Sequence, residues 1–437
     1  MNSSIHGNTA AKRLTIALFG AFGVGNLGNE CTLQALLYNI RRCVPNAEIR
    51  CICSGPDQVR IAYGIPATPI EEIPLSHIAN RALRILRKIF VRIPLEFFRW
   101  AKAIATLTDV DMLVMTGTGM LGDFGISPLG LHYQILKWTV LAKLCRSKVI
   151  FLSVGAGPLR QPLSQRIVKA ALSFADYRSY RDSFSKDYLK SIGFNTEHDH
   201  VFPDLAFSFP ARVLPQYSHN DSSRGVVGVG LMTYFNRTGS SQKDDSIYIE
   251  YIAKMGDFVS WLLQKKYKVR LLIGDVAYDQ PATYDLKAYL EKIGVRYENG
   301  ALIDEPAASV DEVLSQLAAS DFVVACRFHN ILLALMLAKP VLAISYHEKN
   351  AALIASAGLA DFSQDIEHID VDKMMCQFEA MQENADSIKL RLQQNAVACR
   401  AALDEQYNLI FDDHLLFKAI PAIATRARTA SKELSDR

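Results

Sequence analysis

A chain of 437 residues exceeds the size at which one hydrophobic core keeps growing, so two domains of roughly 150 to 200 residues each are expected. Half of the residues are hydrophobic and 21% are charged, which excludes extensive disorder, and a formal net charge of +3 is too small to imply a nucleic-acid partner. Eight cysteines scattered without a CxxC pair read as buried, reduced thiols of a cytoplasmic protein.

Lys12 and Arg13 precede the apolar run Leu14 to Gly25 much as basic residues precede the core of an export signal. The run lacks a small-x-small cleavage site and passes into a glycine-rich turn that a folded domain uses. Short apolar runs then alternate with helical periodicity, the signature of a parallel sheet with crossover helices. The first half predicts strands near Leu14–Phe19, Ile49–Cys53, Met112–Thr116, Val149–Val154 and Tyr177–Tyr180, with helices such as Thr32–Arg42 and Leu131–Leu144 between them. Within 80–102, seven Lys or Arg residues face the single acid Glu96 amid large apolar side chains. That pattern suits peripheral contact with an anionic membrane, and equally a core-packing helix with a solvated basic face, interrupted at Pro94.

A polar segment with Pro215, Ser218, Asn220, Asp221, Ser222 and Ser223 reads as a linker. After it the pattern restarts with strand Val226–Leu231, helix Ile247–Lys265, strands Val269–Ile273 and Phe322–Ala325, helix Asn330–Ala338 and strand Val341–Ser345. A mostly helical tail follows, able to pack back on either domain. The expected organisation is an N-terminal tail 1–12, a Rossmann-like domain 13–212, a linker 213–224, a second Rossmann-like domain 225–371 and a tail 372–437. Two such doubly wound halves face each other across a cleft. Ligands of these α/β folds bind beyond the carboxyl ends of the strands, so the site belongs between the domains.

The first strand closes in Gly20-Ala21-Phe22-Gly23-Val24-Gly25-Asn26-Leu27-Gly28-Asn29-Glu30. Residues 23–28 match the dinucleotide pattern GxGxxG, which makes an NAD-dependent oxidoreductase one alternative. The acid expected about 20 positions later is missing, because the second strand closes with Cys53-Ser54. Asn26, Asn29 and Glu30 cluster polar groups suited to hydroxyl recognition. In the second half, Arg327 and His329 stand between a strand and an apolar helix, where an arginine fork and a helix N-terminus both favour an anion. Lys349 follows the next strand, in Ser345-Tyr346-His347-Glu348-Lys349. Strand ends of the first half add Asp123, which closes the turn Thr116–Asp123, and Arg181 beside Asp182.

The segments GNLGNE, TGTGMLGD, SVGAGPL, the Arg181-Asp182 pair with Ser185, PDLAFSFP, and RFH followed by LALMLAKPVLAISYHEK resemble, in order and spacing, the polysaccharide pyruvyl transferase family. The likeness runs from about Leu14 to Lys349. Family members usually carry Arg-Leu-His where this chain has Arg327-Phe328-His329, and GNxGDE where Asn29 stands in place of an acid.

The resemblance implies a two-domain GT-B-like fold, phosphoenolpyruvate as donor substrate with no cofactor or metal, and ketal-forming transfer to a sugar acceptor carried on a lipid-linked oligosaccharide. It places the protein in the cytoplasm, and a lipid-linked acceptor would give the contact suggested by residues 80–102 a purpose at the inner face of the membrane. Arg327, Lys349 and Arg181 are the expected donor-binding cations, His329 the general acid or base, Glu30 and Asp123 further catalytic groups, and Asn26 and Asn29 acceptor contacts. A GT-B glycosyltransferase using a sugar nucleotide, the oxidoreductase, and a non-enzymatic partner in polysaccharide assembly are the alternatives.

Overall fold

The computed structural model describes residues 13–71, 93–123, 126–211, 214–215, 225–234, 245–276 and 278–411. Most of the linker, residues 80–92 of the basic stretch and the tail beyond 411 lie outside them.

Two parallel sheets organise the chain. The first contains β1 (Thr15–Gly20), β2 (Glu48–Cys53), β3 (Ala67–Pro69), β4 (Met112–Met115), β5 (Lys148–Val154), β6 (Tyr177–Tyr180) and β7 (His200–Val201), in the order β3-β2-β1-β4-β5-β6-β7. The second contains β8 (Val226–Gly230), β9 (Lys268–Leu272), β10 (Leu302–Ile303), β11 (Phe322–Ala325), β12 (Val341–Ser345) and β13 (Ser363–Asp365), in the order β10-β9-β8-β11-β12-β13. Every residue of β1, β4, β11 and β12 is buried, as expected of strands covered on both faces, which is why they read in sequence as continuous apolar runs and not as alternations. The short strands at the sheet edges, β3, β7, β10 and β13, have too few residues to show a period and are not recognisable from sequence. Strand order reverses between β1 and β4 in one sheet and between β8 and β11 in the other, and at these switch points α/β folds open a crevice.

The crossover helices start on recognisable caps. Asp182 accepts the Ser185 N–H (2.6 Å) at the head of helix Ser183–Ser191, and Ser309 forms a capping box with Glu312 before helix Val310–Ala318. Helix Leu27–Cys43 begins five residues earlier than the apolar period indicates, because Asn26 caps it by accepting the Asn29 N–H (3.1 Å) and draws the glycine turn into the first helical turn. Likewise helix Phe328–Met336 begins directly after Arg327.

The tail packs on both halves. Helix Val371–Glu383 sets Phe378 among Phe258, Trp261, Tyr267 and Phe322 of the second half, with ring centroids 5.3–5.9 Å apart. Helix Ala385–Phe411 then crosses back to the first half. There Gln406 accepts from Ser153 Oγ (3.0 Å) and donates to Ser179 Oγ (2.6 Å), and Tyr407 meets Ser208 (3.0 Å). Ser153 lies in the left-handed region (φ 47°), a cost of about 1–3 kcal/mol that this buried network offsets.

Within the basic stretch, helix Ile93–Leu107 is described. Pro94 stands in its first turn, where a missing N–H breaks no helical hydrogen bond. Of the basic residues in this stretch, Arg99 is largely buried against Glu96, and Lys137 from a neighbouring helix meets the same carboxylate. Phe97 and Phe98 are 73% and 60% exposed. No described helix is long and apolar enough to cross a membrane. Of the eight cysteines, Cys31, Cys51, Cys53 and Cys326 are buried, whereas Cys376 is exposed.

Candidate active site

The loop after β1, at the first switch point, touches the loop after β9, next to the second. Leu27 N–H donates to Gly274 O (3.2 Å), Val276 N–H to Gly25 O (3.0 Å), and Asn26 Nδ2 to Asp275 Oδ2 (3.3 Å). Between them lies a cavity of about 200 Å³. The first half contributes Asn26 and Asn29 beyond β1, Thr118 and Met120 beyond β4, and Arg181 beyond β6. The second half contributes Arg327, Phe328 and His329 beyond β11, and Tyr346 and Lys349 beyond β12.

His329 sits against the glycine turn. A Cβ on Gly28 would lie 2.0 Å from its Cγ and Nδ1, so only glycine leaves room for the imidazole. Nε2 of His329 is enclosed and has no hydrogen-bond partner among the described residues. Burial first, and then the charges of Arg181, Lys349 and Arg327, push the imidazole down to about 3, so it is neutral at physiological pH.

Arg181 is buried and reaches Asp204 through Nη1 (3.2 Å), while its guanidinium carbon lies 3.9 Å from the centroid of the Phe328 ring. Lys349 Nζ lies 5.8 Å from the same centroid and 5.4 Å from that of Tyr346. Arg327 lines the cavity as expected, but its fork is turned to Asp279. Nε meets both carboxylate oxygens (3.1 and 2.9 Å) and Nη2 makes a further contact with Oδ1. Burial works against the charge of Arg327, and Asp279 more than offsets it, raising the guanidinium above its ordinary value. Asp279 also accepts the Gly274 and Asp275 N–H groups (3.1 and 2.9 Å), so the pair fixes the turn that touches Asn26 and Leu27.

Asn26 and Asn29 line the cavity, although each also serves the loop: Asn29 Nδ2 donates to Ala21 O (3.1 Å). Glu30 and Asp123 do not line it. Glu30 accepts from Gly23 N–H (2.6 Å) and Tyr63 OH (2.9 Å), and burial raises its carboxyl despite both hydrogen bonds. Asp123 accepts the Arg160 and Gln161 N–H groups (2.5 and 3.3 Å) just ahead of helix Pro162–Ser173. From the turn Thr116–Asp123, Thr118, Gly119 and Met120 face the cavity instead. Sequence reasoning also passed over Tyr346, whose place one residue beyond β12 in the same cluster as Lys349 was the available signal.

Two Rossmann-like domains meeting at their switch points around a cationic cavity define an enzyme of the GT-B-like class. Among solved structures, a putative UDP-N-acetylglucosamine 2-epimerase from Listeria monocytogenes aligns over 94% of this chain and 100% of its own, with TM-score 0.59 and 11% identity. An Anabaena protein in complex with UDP and glucose aligns over 90% and 99%, with TM-score 0.55 and 15% identity. A UDP-GlcNAc 2-epimerase from Neisseria meningitidis bound to UDP-GlcNAc aligns over 90% and 99%, with TM-score 0.54 and 11% identity. These likenesses concern the fold. Curated protein sequences give no significant match. The profile of the polysaccharide pyruvyl transferase family matches residues 26–348, and the chain belongs to that family of transferases.

Proposed function

We infer that the protein transfers a pyruvyl group from phosphoenolpyruvate to two hydroxyls of a sugar in a surface polysaccharide repeat unit, forming a pyruvate ketal. The observation that carries this reading is the cavity itself: Arg181, Arg327 and Lys349 surround His329, and none of the described lining residues is an aspartate or glutamate. A phosphate and a carboxylate on one small molecule match that charge pattern. A volume of about 200 Å³ is below the roughly 300–1,000 Å³ of cavities that enclose drug-sized ligands, and so suits phosphoenolpyruvate better than a sugar nucleotide.

In this reading Arg181 and Lys349 hold the donor's anionic groups. Arg327 adds field while its fork keeps the Gly274–Asp275 turn in place. His329 exchanges protons with the reacting atoms, and Asn26 and Asn29 offer contacts to acceptor hydroxyls. Glu30 and Asp123 act through the loops they brace. The exposed Phe97 and Phe98 suit peripheral contact with the cytoplasmic face of a membrane, which would bring a lipid-linked acceptor within reach. The test is product mass spectrometry with phosphoenolpyruvate and candidate acceptors, alongside melting scans. A scan that shifts with UDP-sugars and not with phosphoenolpyruvate would favour the sugar-nucleotide reading, which the UDP-bound structural neighbours raise.

A further inference from the structure

Ketal formation from phosphoenolpyruvate moves two hydroxyl protons, one to the methylene carbon C3 and one to the departing phosphate. A site for it needs one group that gives a proton and one that takes a proton. With no carboxylate on the described lining, the groups facing the cavity that can exchange protons are His329, Tyr346 and Lys349. Tyr346 is 6% exposed and follows β12, in the strand-end cluster that carries Lys349. Lys349, Arg327 and Arg181 face it from three different strand ends. Behind it, its ring lies 6.3 Å from that of Tyr234, whose hydroxyl donates to Glu367 (2.6 Å), and 6.2 Å from that of His347.

We propose that Tyr346 gives the proton to C3 of the donor and that His329 is the complementary base, an assignment that rests on the pyruvyl-transfer reading above. Cationic surroundings suit a phenol that must pass through its phenolate. Burial raises Tyr346, but Lys349, Arg327 and Arg181 together bring it below the ordinary phenol value. Burial first, and then the same cations, keep His329 neutral, so the resting ring is free of the proton it must take and, once protonated, gives it up readily to phosphate.

The protons balance over two half-reactions. In the first, the C2–C3 π electrons take the Tyr346 proton, C2 becomes oxocarbenium-like, and the first hydroxyl oxygen bonds to C2 as its proton passes to His329. In the second, the C2–O bond to phosphate breaks, and phosphate leaves with the electron pair and the His329 proton. The second hydroxyl oxygen then bonds to C2, and its proton restores Tyr346. One hydroxyl proton ends on the methyl carbon and one on phosphate, with both side chains reset.

The experiment has two stages. Product formation by the parent enzyme from phosphoenolpyruvate and acceptor tests the pyruvyl-transfer reading alone. Given that activity, Tyr346→Phe is expected to keep the melting shift with phosphoenolpyruvate while single-turnover product formation falls about 100-fold or more. Replacing Tyr346 by 3,5-difluorotyrosine retains shape and acidifies the phenol. An acid must be protonated to act, so the basic limb of rate against pH should move to lower pH. A merely structural tyrosine would leave the limb in place, and an unmoved limb, or a Phe variant within threefold of the parent, overturns the proposal. Should Tyr346→Phe fail to fold, the fluorinated enzyme decides the question.

Discussion

The guanidinium carbon of Arg181, at the end of β6, lies 3.9 Å from the ring centroid of Phe328, just beyond β11, so a cation of one half is stacked on an aromatic of the other. The departure from the usual Arg-Leu-His therefore has a structural use. Leucine at 328 would fill the space without an aromatic face for Arg181 or Lys349. Phe328→Leu is expected to cost about 0.5–2 kcal/mol in stability and to weaken phosphoenolpyruvate binding, measurable by denaturation and calorimetry. Unchanged values would show the stacking to be incidental.

Arg181→Ala should do more damage, because it strands Asp204, which is 3% exposed, without its partner. Removing one member of a buried ion pair costs about 3–5 kcal/mol. The double variant Arg181→Ala with Asp204→Asn should regain part of that stability without regaining donor binding. A double variant no more stable than the single one would mean that Arg181 matters through packing alone.

The depressed imidazole has a measurable sign. His329 binds its proton near pH 3 when folded and near 6.5 when unfolded, so its contribution is fully present above 6.5 and declines as pH falls through that window. From pH 6.5 to 5 the loss from this group amounts to about 2 kcal/mol. His329→Gln removes it, so the parent should lose that much relative to the variant over the same interval in urea titrations. Parallel curves would place the imidazole in water.

Glu30→Gln and Asp123→Asn separate bracing from chemistry. Both carboxylates bond to backbone N–H groups outside the cavity, so turnover should stay within about tenfold of the parent, short of the 100-fold or more expected when a proton-transfer group is lost. A 100-fold fall in kcat with an unchanged melting temperature would return either residue to the catalytic set.

Gln406→Ala should reach the site from the far end of the tail. It leaves Ser153 and Ser179 short of a buried partner, at about 1–3 kcal/mol, and loosens the end of β5, which runs into Gly155, where any side chain would collide with Arg181. Both stability and donor affinity should drop. A loss of stability with affinity intact would confine Gln406 to the scaffold.

The sequence by itself determined the layers of the fold and the addresses of the site. Runs such as Met112–Met115 and 341–344 are apolar throughout because both faces of their strands are covered, and the glycine turn, Arg327-Phe328-His329 and Lys349 are recognisable because chemistry in α/β folds collects where strands end. Which strand ends meet was decided by tertiary structure. Burial and neighbouring charge, neither visible along a chain, neutralise His329, commit the Arg327 fork to Asp279 48 residues away, turn Glu30 and Asp123 to backbone, and bring Tyr346 among three cations. Residue type and spacing fix what a side chain is able to do, whereas its charge state and partner depend on surroundings that only the packed chain supplies.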